Sequence, residues 1–135
     1  MLQPPPGIFA DVTQIDFTSF YPSIIVRENL SPETLDDREN PGFLSSVLDP
    51  IITLRHYTKQ MKKTDSSYAG MDGVLKWMLV TCFGYTGYKN ARFGRIEVHE
   101  EITLAATRIL KDCVKLTEAH GGEVLHAIID CLFIK

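Results

Sequence analysis

Apolar positions change their period several times along this chain, and each change marks an element. Phe9 to Phe17 (FADVTQIDF) alternates imperfectly, with Val12 and Ile15 among its apolar positions, which predicts a strand with Asp16 near its end. Ser19-Phe20-Tyr21-Pro22 then opens a short helix, because proline tolerates the first helical turn. Ile24, Ile25 and Val26 form its buried side, and Asn29-Leu30-Ser31-Pro32 stops it. After a break at Asn40-Pro41-Gly42, Asp49-Pro50 predicts a second helix start, with aspartate as N-cap and proline in first position. From there to Lys63, Ile51, Leu54, Thr58 and Met61 follow helical spacing, while Arg55, Lys59, Lys62 and Lys63 share another face. The polar turn Thr64-Asp65-Ser66-Ser67 leads into a helix predicted from about Ala69 to Cys82, with an apolar stripe of Met71, Val74, Leu75, Met78 and Leu79. Gly73 is its weak position. Two antiparallel helices joined by a short polar turn make a helical hairpin.

Gly84-Tyr85-Thr86-Gly87-Tyr88 reads as a glycine-punctuated turn region. Glu97 to His120 is the strongest helical pattern, with Ile102, Ala105, Ala106, Ile109, Cys113 and Leu116 on one side and Gly121-Gly122 to end it. Val124 to Ile129 reads as a strand and Leu132 to Ile134 as the start of another, with Asp130 and Cys131 in the hairpin position between them. The sequence stops at Lys135 within that second strand, so a fragment is expected. There is no internal repeat, and Pro4-Pro5-Pro6 is a stiff, extended lead-in.

With 135 residues, 44% hydrophobic and 23% charged, the composition is that of one ordinary globular domain and excludes disorder, collagen and coiled-coil arrays. No apolar run approaches the ~20 residues that span a bilayer, and MLQPPPGIF lacks the basic and apolar regions of a secretory signal. An intracellular protein is expected. Cys82, Cys113 and Cys131 are widely spaced and odd in number, and read as reduced, mostly buried thiols. The net charge of −3 hides an asymmetry: from Arg55 to Arg95, eight basic residues face two acidic ones, leaving that stretch at +6 and the remainder at −9. Such a basic middle either faces phosphates or is a solvated helix face.

Asp16-Phe17-Thr18-Ser19-Phe20-Tyr21-Pro22-Ser23-Ile24-Ile25 resembles motif A of the family B DNA polymerases, D-x-x-S-L-Y-P-S-I-I, and Ser31 to Leu35 continues the register. Leu75-Lys76 through Gly84-Tyr85-Thr86-Gly87-Tyr88 is similar to motif B, K-x3-N-S-x-Y-G, and His126 to Phe133 resembles motif C, Y-x-D-T-D-S. The likeness is archaeal in type and covers nearly the whole chain. It implies an α+β fold, a partial antiparallel palm sheet with packed helices and an inserted helical fingers hairpin. Residues 1–40 would be the first part of the palm, 41–84 the fingers hairpin and 85–135 the second part of the palm.

The implied activity is template-directed addition of deoxynucleotides to a primer 3′ end through two Mg2+ ions, with Mn2+ possible. Such chemistry needs ions about 3.5–4 Å apart, held by hard oxygen ligands. By matched position, the resemblance makes Asp16 and Asp130 catalytic, with metal contacts at Asp16, Phe17 and Asp130. It puts nucleotide contacts at Ser19, Phe20, Tyr21, Arg55, Lys76 and Val80, and DNA contacts at Phe83, Gly84, Lys89 and Arg92. Tyr21 would lie under the sugar and exclude a 2′ hydroxyl. Its plainer reading is a core aromatic, that of Asp130 a turn former, and that of Lys76 and Arg55 solvated basic residues. Primer–template DNA, deoxynucleoside triphosphates, and separate exonuclease and thumb portions are the implied partners, in a cellular location with the chromosome.

Several positions depart from the family pattern. Val80 stands at the motif B asparagine and Phe83 at its tyrosine, while Ile128 and Ile129 replace the first aspartate and the threonine of motif C. A degenerate relative that only binds nucleic acid or braces an assembly is therefore a second reading. An unrelated two-metal nuclease is a third, which leaves Lys76 and Tyr21 without a role.

Overall fold

The computed structural model describes residues 3–4 and 6–135, so part of the proline lead-in, Pro5, lies outside the described residues. The chain divides into two compact units, one formed by the segment through Phe20 with Leu104–Lys135, the other by Tyr21–Thr103. In chain order the main elements are β1 (Thr13–Asp16), α1 (Phe20–Arg27), α2 (Phe43–Met61), α3 (Ala69–Thr86), α4 (Ile96–Ala119), β2 (Val124–Ile128) and β3 (Cys131–Ile134), with one short 3-10 turn at Ser66–Tyr68 before α3. This is the mixed helix-and-antiparallel-sheet class expected from the resemblance.

In the first unit, the described strands form one antiparallel sheet in the order β1-β3-β2. Thr13 pairs with Ile134 and Asp16 with Cys131. β1 is shorter than the predicted Phe9–Phe17, because its partner β3 offers only four residues of ladder. β2 is irregular between Val124 and His126, so two residues there oppose one on β3. The ladder closes with Glu123 and Lys135 exchanging N–H to carbonyl bonds of 2.8 Å each. Leu125, Ala127, Cys131 and Leu132 are buried, whereas every β1 residue is exposed. α4 matches its predicted span within one residue at each end; Ala105 and Ala106 are buried, but Leu116 is exposed. It ends where Gly121 turns left-handed at φ +84°, a conformation that costs glycine nothing.

The second unit is built around the loop that follows α1. Asn29 donates from Nδ2 to the carbonyls of Arg38 (3.1 Å) and Asn40 (2.7 Å) and accepts from the Gly42 N–H (2.7 Å). Glu33 accepts from the Phe43 N–H at 2.5 Å, and the Ser31 hydroxyl oxygen accepts from the Leu44 N–H at 3.2 Å. These two residues satisfy orphan donors at the start of α2 from ten and thirteen positions upstream. α2 therefore begins at Phe43, not at Asp49-Pro50 as local capping chemistry predicts, and Pro50 lies inside the helix. The earlier start also fixes a different buried face: Leu44, Ser45, Leu48, Ile52, Arg55 and Thr58 are inside, while Leu54 is exposed.

α3 likewise corrects its predicted span. It continues past Cys82 to Thr86, absorbing Gly84 and Tyr85. Its buried residues are Asp72, Leu75, Leu79 and Thr86; Met71, Val74 and Met78 of the predicted stripe face solvent, as does Trp77. Helical spacing identified residues that share a side, but the covering α2 reaches only the Leu75–Leu79 edge of it. The thiols are free, with Cys131 buried and Cys82 and Cys113 half-buried, and burial raises the pKa of each.

Candidate functional site

Antiparallel pairing brings Asp16 and Asp130 to one end of the sheet. Asp16 closes β1 opposite Cys131, and one residue on, the Phe17 N–H donates to the Asp130 carbonyl at 2.9 Å. Asp130 occupies the two-residue turn between β2 and β3 with Ile129, whose φ of +53° is left-handed. The Cys131 thiol has its pKa raised, first by burial and then by the negative charges of Asp130 and Asp16, against a lowering hydrogen bond with Gln14. Both carboxylates thus act on the same buried sulfur. Among the described residues no group of three or more histidine, cysteine, aspartate or glutamate side chains is assembled for a metal. Ile128, at the family's first motif C aspartate, is half-buried and adds no oxygen. The donors present are two hard carboxylates beside a protonated thiol, which suits Mg2+ or Mn2+ and not a thiolate-seeking ion.

Beyond β1 the chain turns sharply, with Ser19 at φ +53°, and enters α1. The Phe20 ring is buried and stacks on Phe17, centroids 4.7 Å apart. Any contact of Phe20 with a ligand therefore falls to its backbone. Tyr21 is half-buried, and its ring lies nearly parallel to Phe83 at 4.0 Å. Phe83 stacks in turn on His99 at 4.5 Å. Nδ1 of His99 lies 3.1 Å from the Thr86 hydroxyl, which donates to the Phe83 carbonyl at 2.6 Å. Sequence reasoning paired neither Tyr21 with Phe83 nor His99 with either; a histidine in the first turn of an amphipathic helix carries no signal for such a stack.

Lys76, Val80 and Gly84 lie on exposed turns of α3, one helical turn apart. Lys89 and Arg92 are exposed in the loop after it. Arg92 lies over the Phe93 ring at 5.7 Å, and Phe93 stacks on Phe43 at 4.7 Å, beside an apolar cleft of about 450 Å³. Among the described residues, none of the ion pairs involves Lys76, Lys89 or Arg92. Arg55 differs. It is buried with its Nε 3.6 Å from Asp72, which also pairs with Lys62. The Asp72 carboxyl is held below its usual range first by the Lys62 hydrogen bond, against burial, and further by Arg55 and Lys59. Asp72 is a residue the sequence reading passed over. Its signal was an acid among the apolar positions of α3, one turn before Lys76.

A sequence profile of DNA polymerase family B matches residues 1–41. By sequence and by fold the chain is similar to family B DNA polymerases. It is 36% identical over its whole length to DNA polymerase 2 of Saccharolobus solfataricus, covering 22% of that protein. It is 28% identical to DNA polymerase 2 of Aeropyrum pernix, covering 20% of it. The solved family B DNA polymerase of Pyrobaculum calidifontis superimposes with a TM-score of 0.80 at 30% identity, over 99% of this chain and 21% of that one. The chain thus spans about a fifth of the length of these relatives. Polymerases of this family use divalent metal in general. Among the described residues no helix is long and apolar enough to cross a membrane.

Proposed function

We propose that this chain is the palm-and-fingers core of a DNA-directed DNA polymerase, adding deoxynucleotides to a primer 3′ end. In this reading residues 1–40 and 85–135 are the two parts of the palm and residues 41–84 the fingers hairpin. The observation that supports it is the pair of carboxylates, Asp16 and Asp130, at one sheet end directly before the motif A helix. Asp16, Asp130 and the backbone carbonyl of Phe17 would hold two Mg2+ ions, with Mn2+ as substitute. When bound, such ions activate the primer hydroxyl and neutralise triphosphate charge. The N–H groups at Ser19, Phe20 and Tyr21, where α1 starts, attract phosphate. Lys76 supplies a point charge to the triphosphate. Tyr21, braced by Phe83, is the steric barrier to a 2′ hydroxyl. Val80, Phe83 and Gly84 meet the nascent base pair, and Lys89 and Arg92 the duplex backbone.

Primer–template DNA and deoxynucleoside triphosphates are then the partners, with exonuclease and thumb portions of a parent polymerase, working inside the cell with the chromosome. Phosphate contacts supply most polymerase–DNA affinity, and here the strongly basic stretch is Arg55–Arg95. The chain is expected to bind primer–template weakly, with affinity falling steeply as salt is added, and to extend it poorly or not at all. Primer extension with Mg2+ and enzyme in excess tests the assignment. Slow extension abolished by Asp16→Asn, here or in a longer polymerase containing these residues, supports it, whereas robust extension by this chain, or extension indifferent to Asp16→Asn, overturns it.

A further inference from the structure

The ion cluster inside the α2/α3 hairpin is more elaborate than a helix tie requires. Asp72 is buried in the first turn of α3, where the helix dipole already favours an acid. Its carboxylate faces Arg55, itself buried, and Lys62, and it feels the charge of Lys59. Arg55 of α2 and Lys62 at its C-cap thus pair with a single carboxylate. That is the arrangement a phosphate group would find, with a side-chain anion in the phosphate's place. One helical turn along α3 stands Lys76, exposed and in no ion pair among the described residues. A polyphosphate that engaged Arg55 would compete with the Asp72 carboxylate for it.

We propose that Asp72 is an internal counter-anion for a polyphosphate site on the hairpin: it keeps Arg55 engaged, and triphosphate reaches Arg55 only by displacing it. Asp72 then sets triphosphate affinity without being a ligand. This rests on the reading above, in which the hairpin cations meet phosphate. It also assigns Arg55 a different resting state from Lys76, although both are basic residues of one hairpin.

The test uses the full chain and its single tryptophan, Trp77, which is 70% exposed and adjacent to Lys76, as a fluorescent reporter of inorganic tripolyphosphate binding. Asp72→Asn keeps the side chain's volume and removes its charge. Because Asp72 holds Arg55 through a 3.6 Å ion pair, freeing Arg55 should tighten tripolyphosphate binding on the order of tenfold. The gain should vanish in the Arg55→Gln/Asp72→Asn double variant. Asp112→Asn, which makes the same change in net charge at an exposed site, should leave affinity within about twofold, given the screening of surface charges. Unchanged or weaker binding by Asp72→Asn, or an equal gain from Asp112→Asn, overturns the proposal. Circular dichroism checks that each variant folds. Should Asp72→Asn not fold, Arg55→Gln alone decides: a loss as large as that from Lys76→Ala means Arg55 was already available, and overturns the proposal, whereas a much smaller loss supports it. Loss of wild-type binding in Lys76→Ala with no effect of Asp72→Asn sinks this inference and leaves the nucleotide reading standing. Absence of binding in every variant sinks both.

Discussion

Gly42 is a position where a single added methyl group should be costly. It is buried at the entry to α2, and a Cβ there would lie 2.7 Å from the Ser31 Cβ and 2.9 Å from Thr34 Cγ2. Carbon atoms pack at about 3.5–4.0 Å, so both neighbours must retreat by most of an ångström. Neither is free to do so. Thr34 receives the Ser31 N–H at 2.9 Å and donates to the Asn29 carbonyl at 2.5 Å, while Ser31 receives the Leu44 N–H and donates to Glu33 at 2.8 Å. Overpacking costs roughly 1–3 kcal/mol. Disturbing the Ser31 and Glu33 caps adds about 1 kcal/mol. Gly42 has an ordinary φ of −71°, so alanine returns about 0.4–1 kcal/mol through the unfolded chain. The net expectation for Gly42→Ala is a destabilisation of about 2–3 kcal/mol, a fall in Tm of roughly 10 °C for a domain of this size. Gly73→Ala is the internal control. Nothing lies within 4 Å of a Cβ there, and α3 should gain about 0.5–1 kcal/mol. Thermal melts followed by circular dichroism report both. A Gly42→Ala variant as stable as wild type would show that the loop does not cap α2 as described.

Further outcomes follow from the same geometry. Ile129→Gly should stabilise the chain by about 1 kcal/mol in urea unfolding, since a β-branched residue at φ +53° is strained and glycine is not; unchanged or lowered stability would refute strain at that turn. Glu33 and Asp72 both have folded pKa values below their ordinary 4.5 and 3.8. For Glu33, burial raises the value, but the Phe43 N–H, its own N–H and the Ser31 hydroxyl outweigh it. Stability from such depressed carboxyls is complete above the ordinary values and is lost as pH falls through them toward the folded ones. Melts across that acid range should show a decline that is shallower in Asp72→Asn, and an equally steep decline in that variant would contradict the assignment. In a longer, active polymerase containing these residues, Tyr21→Ala should raise the ratio of ribonucleotide to deoxynucleotide kcat/KM; an equal loss of both would reduce Tyr21 to a packing partner of Phe83.

How legible each part was in the sequence depended on how local its cause was. α4 was readable because its own spacing and Gly121 define it. The neighbourhood of Asp16 and Asp130 followed from two strands and a two-residue turn, once the resemblance said that those strands pair. The start of α2 was not readable, since Asp49-Pro50 is a local signal and the deciding caps, Ser31 and Glu33, lie far upstream. Nothing in the sequence marked Arg55 as buried, whether read as a nucleotide contact or as a solvated cation, because its ion-pair partner Asp72 belongs to the other helix. The stripe on α3 was real as a pattern. Periodicity says which residues share a side and is silent on what covers them, and here Met71, Val74, Trp77 and Met78 remain open.

The most direct test of the central claim is a calorimetric titration of Mn2+ into the wild-type chain, Asp16→Asn and Asp130→Asn. Two hard carboxylates at one sheet end should bind the ion together, so each substitution should weaken binding strongly, and Ile128→Asp should strengthen it by adding an oxygen ligand at the half-buried position beside the turn. Binding that is unchanged by either asparagine substitution, or absent from the wild type and from Ile128→Asp alike, would contradict a metal dyad and leave Asp130 as a turn residue.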